Sequence, residues 1–120
     1  LELPAAPMSS ARARSFTRTH LSSWGLDSMG EVASLLVSEL VSNVVLHAEC
    51  DCRLVLEYDG RRLRVGVADA DPTPPERRYN KSPAARGMGL LLVEALSCEW
   101  GWHPEGGGGK VVWFELEGVS

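Results

Sequence analysis

Glu39 and Asn43 stand four residues apart in the run Glu39-Leu40-Val41-Ser42-Asn43-Val44-Val45-Leu46-His47-Ala48. On a helix that spacing puts both side chains on one face, one above the other. The two groups suit different tasks. A carboxylate can take a proton from a reacting group. A carboxamide offers a neutral oxygen to a hard cation such as Mg²⁺, which prefers oxygen donors and keeps several of its waters. Both fall inside an apolar stripe of Val32, Leu35, Leu36, Leu40 and Leu46, with His47 nearer its edge. Burying them without partners costs several kcal/mol for the charge and about 1–3 kcal/mol for the amide. The fold therefore either satisfies them in an internal hydrogen-bond network or turns them toward a ligand cavity. For an isolated pair of this kind the network is the default.

Two later features shift the balance. Asp69 follows the alternation Leu63, Val65, Val67 and falls on the apolar side of that strand. There it can accept a hydrogen bond from an adenine amino group. Gly87 and Gly89 flank Met88 at a loop-to-helix junction. Without side chains there, backbone N–H groups at a helix N-terminus can touch a phosphate, and the helix dipole favours the anion. A G-x-G alone is a weak signal. In this order the four features supply a base, a metal ligand, a purine contact and a phosphate contact.

The elements that must position these residues are legible from periodicity. Ser9 or Ser10 can cap a helix over 9–24, with Ala13, Phe16, His20 or Leu21, and Trp24 among its apolar positions and Gly25 just past its end. Arg12, Arg14 and Arg18 read as its solvated face. Asp27 or Ser28 caps a second helix over 29–48, with Glu31 placed as in a capping box. The period then changes to two. Strands over 53–58 and 62–68 flank Asp59-Gly60, a hairpin turn signal. Residues 71–85, with four prolines, read as a long loop of the kind that is usually functional. A third helix covers 90–100, and strands follow near 102–104 and 111–116, joined by the glycines at 106–109. Residues 1–7 leave room for one edge strand. Strands paired as hairpins with helices on one face predict an α+β two-layer sandwich, its sheet mostly antiparallel and its three helices on one side.

Composition sets the outer limits. A chain of 120 residues, 44% hydrophobic and 23% charged, reads as one globular domain over 1–120. A net charge of −4 argues against a general nucleic-acid binder. No apolar run approaches the roughly 20 residues of a membrane span, and Leu1-Glu2-Leu3-Pro4 does not read as a secretory leader. Cys50, Cys52 and Cys98 lack the spacing of a metal site and read as free thiols, which suits a cytoplasmic protein.

Glu39-Leu40-Val41-Ser42-Asn43, Asp69 after its V-x-V strand, and Gly87-Met88-Gly89-Leu90 resemble the three nucleotide boxes of the Bergerat-fold (GHKL) ATPases. Nearly the whole chain takes part in the likeness. Trp24-Gly25-Leu26, Leu90-Leu91-Leu92-Val93 and the ending Gly-Gly-Lys-Val-Val-Trp-Phe-Glu-Leu are similar to the stand-alone anti-sigma-factor serine/threonine kinases and their actinobacterial relatives. The resemblance implies that Glu39 is the catalytic base, Asn43 the Mg²⁺ ligand and Asp69 the adenine anchor. It implies that Gly87, Gly89 and the Leu90 backbone hold the phosphates of ATP. It further implies a sigma factor and an anti-anti-sigma protein of STAS fold as partners, and leaves a homodimer open.

The chain departs from that pattern in one place. The first glycine box usually runs D-x-G-x-G; here it is Asp69-Ala70-Asp71-Pro72-Thr73, which stiffens the backbone there. Many relatives carry a threonine on the last strand near the base, where this chain has Lys110 and Val111. Glu39 and Asn43 are untouched. The alternative reading is a regulatory module that binds a partner without catalysis, with weak nucleotide binding or none. A sensor-kinase catalytic domain is a third reading, weakened because 120 residues leave no room for a phosphoacceptor helix pair.

Overall fold

Alternation of apolar and polar side chains builds the sheet. The computed structural model describes residues 1–73 and 89–117. Its strands are β1 (Glu2–Leu3), β2 (Cys52–Tyr58), β3 (Arg62–Asp69), β4 (Glu99–Pro104) and β5 (Lys110–Glu117). They form one sheet in the order β1-β2-β3-β5-β4, every pairing antiparallel. Leu54 on β2, Leu63, Val65 and Val67 on β3, and Val112, Phe114 and Leu116 on β5 are buried on the inner face. The β2–β3 turn is fixed by Asp59, whose Oδ1 accepts the N–H groups of Arg61 and Arg62 at 2.9 and 2.8 Å, and by Gly60 at φ 97°.

The helices are α1 (Ser9–Ser23), α2 (Gly30–Asn43) and α3 (Gly89–Leu96). α2 buries Ala33, Leu36, Val37, Leu40 and Val41, with Val44 just beyond it, against the sheet. That is the i, i+3, i+4 stripe of a core helix. α1 buries Ala13, Thr17 and Leu21, and the Thr17 hydroxyl donates to the Ala13 carbonyl at 2.8 Å. The two helices run antiparallel and are pinned by three polar contacts in register. Ser10 meets Ser42 at 2.7 Å, Arg14 donates to Ser38 at 3.1 Å, and Arg18 donates to Ser34 at 3.2 Å. Two of the arginines expected on a solvated face therefore hold the helix pair together.

Several boundaries differ from the expectation. Neither helix start is capped by a side chain: Met8 and Met29 occupy the N-cap positions. The Ser9 hydroxyl donates to the Pro4 carbonyl instead, and Asp27–Met29 forms a 3₁₀ turn leading into α2. The second helix does not run regularly to residue 48. Val44–Ala48 is a π turn, closed by the Glu49 N–H on the Val44 carbonyl at 2.8 Å, with Glu49 left-handed at φ 54°. The third helix stops at Leu96: the Ser97 N–H still closes on the Val93 carbonyl, but the Cys98 N–H goes to the Glu115 carbonyl of β5 at 2.9 Å, and Glu99 already belongs to β4.

The expectation about apolar length also needs correction. Asp27–Leu46 is 20 residues long with a mean hydropathy of 1.5, enough to cross a membrane by length and composition. Half of it is buried, and it carries α2, the core helix that packs against α1, α3 and β3. That placement accounts for its apolarity as a core helix.

Gly109 ties the start of β5 to the end of β3. A Cβ there would lie 2.9 Å from the Ala70 Cα and collide with the Asp69 carbonyl oxygen. Gly106, in the same turn, has nothing within 4 Å. Gly109→Ala should therefore cost about 3 kcal/mol in urea unfolding, whereas Gly106→Ala should stay within about 0.5 kcal/mol of the parent. Equal effects would contradict the close approach of the two strand ends.

Candidate functional site

α2 packs against β3 and α3, so one helix touches both other elements that carry site residues. Its wheel has two flanks. The first is the core stripe described above. The second holds Val32, Leu35, Glu39, Asn43 and Leu46. Leu35 and Leu46 are 40% and 51% exposed, while Val32, Glu39 and Asn43 are half-buried. The apolar stripe expected from sequence therefore divides, and the site residues sit on the less buried flank.

Burial pushes the Glu39 carboxyl above the ordinary glutamate range. Desolvation penalises the charged form, and such a shift moves a carboxylate toward the range useful to a general base. Asn43 ends the regular helix, immediately before the π turn. Its Oδ1 is buried without a hydrogen-bond partner, the only side-chain N or O atom among the described residues in that condition. An orphaned acceptor of this kind calls for an external donor or cation. The oxygen suits Mg²⁺, and π turns of this type recur at functional positions.

Asp69 lies at the end of β3 on the inner face, 6% exposed. It is opposite Lys110 in the β3–β5 register. The Lys110 ammonium donates to Asp69 Oδ1 at 3.1 Å and to the Asp71 carbonyl at 3.0 Å. The Asp71 N–H donates to the same Oδ1 at 2.8 Å. Asp71 repeats the motif one step on, its Oδ1 accepting the Thr73 N–H at 2.9 Å, which holds the Asp71 carboxyl below its ordinary range. Two aspartate turns thus shape the segment where the sequence resemblance leads one to expect glycines. Across the hairpin Cys52 faces Asp69, and burial with that neighbouring charge raises its thiol to about 11, which leaves it unreactive.

Gly89 and Leu90 form the first two positions of α3, so the expected loop-to-helix junction is where the sequence puts it. Gly87 lies outside the described residues. The pairing of Lys110 with Asp69 was missed by sequence reasoning, which took position 110 only as the place of a lost hydroxyl. The signal was available: extending the alternation of Val112, Phe114 and Leu116 back by one step puts Lys110 on the inner face. Among the described residues, no cluster of three His, Cys, Asp or Glu side chains could hold a metal ion.

A family model described as a histidine kinase-like ATPase domain matches residues 3–116. Two solved structures are similar to the chain. One is the Erythrobacter litoralis EL346 blue-light activated histidine kinase, 26% identical, with 75% of this chain and 30% of that one covered at a TM-score of 0.53. The other is the histidine kinase domain of the same protein, 22% identical, with 94% of this chain and 60% of that one covered at a TM-score of 0.55. The chain thus spans less than two thirds of either. No curated protein matches.

If Asn43 Oδ1 is reserved for a ligand, removing it will not destabilise the fold. Asn43→Leu should leave urea stability unchanged or raise it by up to about 1 kcal/mol. A loss above about 2 kcal/mol would mark Asn43 as a structural residue whose partner is internal.

Proposed function

Because the chain belongs to the histidine kinase-like ATPase domain family, we propose that it is a cytoplasmic, Mg²⁺-dependent ATP-binding regulator that transfers phosphate to a serine or threonine of a partner protein. The observation that carries the reading is the α2 flank, where a desolvated carboxylate and an orphaned amide oxygen stand one helical turn apart. In this reading Asn43 holds the metal, Asp69 meets the adenine amino group, and Gly87, Gly89 and the Leu90 N–H hold phosphates. Mg²⁺, when bound, neutralises charge on the phosphate oxygens. Glu39 takes the proton from the acceptor hydroxyl. The hydroxyl oxygen bonds to the γ-phosphorus, the bond to the β-phosphate oxygen breaks, and ADP leaves. The partners proposed on the sequence resemblance are a sigma factor, held by the protein, and a STAS-fold anti-anti-sigma protein, which is phosphorylated.

One observation favours the non-catalytic alternative. Asp69 is buried and already engaged by Lys110 and the Asp71 N–H. A base must therefore add to a satisfied carboxylate, which lowers the gain from binding. Retention of both Glu39 and Asn43 favours catalysis over that alternative.

A paired assay separates the two. Glu39→Ala should lower transfer to a STAS partner by about 10²–10⁴-fold while leaving ATP affinity in calorimetry nearly unchanged. The parent's transfer rate should rise with pH along a limb centred above the ordinary glutamate value of 4.5, because the base works deprotonated and its pKa is raised. Equal transfer by parent and variant removes Glu39 as the base. A parent that holds a sigma factor yet transfers to no partner establishes the binding module.

A further inference from the structure

We infer that the arginine flank of α1 is the surface on which the phosphoacceptor protein docks, and that this partner presents carboxylates beside its acceptor hydroxyl. The inference rests on the phosphotransfer reading above. Its ground is where the cations lie and how they are held. The chain carries a net charge of −4, yet α1, 15 residues long, holds Arg12, Arg14 and Arg18 and no aspartate or glutamate. All three arginines are exposed. Arg14 donates to the Ser38 hydroxyl at 3.1 Å and Arg18 to the Ser34 hydroxyl at 3.2 Å. A hydroxyl fixes a guanidinium in space and leaves its charge standing. The sheet treats its arginines differently: Arg53 meets Glu105 at 3.3 Å, and Arg62 and Arg64 both meet Glu115 at 2.9 Å. A guanidinium held by a neutral partner still offers a rigid fork of N–H donors that matches a carboxylate.

The flank also lies where an acceptor must come. α1 meets α2 along Ser34, Ser38 and Ser42. Leu35, Glu39 and Asn43 each follow one of those serines by one residue, about 100° round the helix axis. The arginine row and the site row are therefore neighbours on one surface. A protein that brings its hydroxyl to Glu39 lies over the border between them, with Arg14 and Arg18 under its nearest segment. Leu35, 40% exposed, gives that segment an apolar contact at the same border. Opposite charge draws the partner's carboxylates to the arginines, and like charge keeps them off Glu39. Complementarity of this kind sets orientation and register more than raw affinity. It turns the acceptor hydroxyl, and not a neighbouring carboxylate, toward the base.

Fluorescence anisotropy of a labelled peptide that alternates glutamate and leucine around one serine, titrated with the whole chain, tests the surface. The parent should bind it at least about tenfold more tightly than the lysine counterpart, against its own net charge, and about 0.3 M salt should weaken the binding severalfold. Arg14→Glu with Arg18→Glu should abolish the preference. Arg12→Glu, a reversal on another flank of α1, should keep it. No preference in the parent, or an equal loss from Arg12→Glu, overturns the docking surface. In the transfer assay with a STAS partner, Arg14→Glu with Arg18→Glu should raise the KM for that partner about tenfold or more while kcat and ATP affinity hold. Transfer with an unchanged KM overturns the inference, as does a loss confined to sigma-factor binding. The acidic preference without transfer to any partner overturns the phosphotransfer reading and leaves an acidic docking surface standing. If the reversed variant does not fold by circular dichroism, Arg14→Gln with Arg18→Gln, which keeps a donor for each serine, decides by the same outcomes.

Discussion

Asp69 sits where the inner, apolar face of β3 runs out, and a carboxylate in that position is expensive unless it is paired and hydrogen-bonded. Lys110 pairs it from the facing strand, and the backbone of Asp71 completes it. Two other features depend on this one interaction. Gly109 must be glycine for the start of β5 to come so close to residues 69 and 70. The segment after β3 leaves the sheet along the aspartate turns at Asp69 and Asp71. Cys52, opposite Asp69, is kept a thiol first by its own burial and then by that neighbouring carboxylate. Removing one member of such a buried pair typically costs 3–5 kcal/mol, much more than any single exposed ion pair. The exposed network of Arg62, Arg64 and Glu115 on the other face of the sheet adds little by comparison, although its two guanidiniums hold the Glu115 carboxyl below its usual range.

α2 performs two separate jobs with one sequence. Its core stripe closes the sandwich, and its second flank carries Glu39 and Asn43 in partial burial. Polar contacts from Ser10, Arg14 and Arg18 of α1 fix the helix in rotation and register. That constraint matters for chemistry, because a base and a metal ligand one turn apart act on the same reacting group only if the helix cannot roll. The π turn after Asn43 breaks the regular hydrogen-bond ladder at the position where the amide oxygen is left without a partner. Site and irregularity coincide, as expected where function competes with regular structure.

Much of this was legible in the sequence. The hairpin followed from period-two alternation and Asp59-Gly60, and the two long helices from their apolar stripes. Glu39, Asn43 and Asp69 stood out because polar groups at apolar positions need a reason. What escaped notice depended on tertiary competition. Ser9 and Asp27 look like helix caps by residue type, but Ser9 has a better acceptor at Pro4, and Asp27 begins a 3₁₀ turn before α2. The third helix looked longer because Glu99 and Trp100 are tolerated in a helix, yet β5 offers them a strand partner in Glu115 and Phe114. The arginines of α1 looked solvated because their acceptors, Ser34 and Ser38, lie on another helix. The Asp69–Lys110 pair needed the β3–β5 register, which connects residues 41 apart.

The central claim is that a nucleotide sits between the second flank of α2 and the end of β3. Titration of ¹⁵N-labelled protein with ATP, with and without Mg²⁺, observed by amide chemical shifts, tests it most directly. The account predicts shifts at Glu39, Asn43, Asp69, Asp71, Gly89 and Lys110, with those at Asn43 growing when Mg²⁺ is added. Shifts confined to the outer sheet face around Arg64 and Trp113, or none at millimolar ATP, would contradict it.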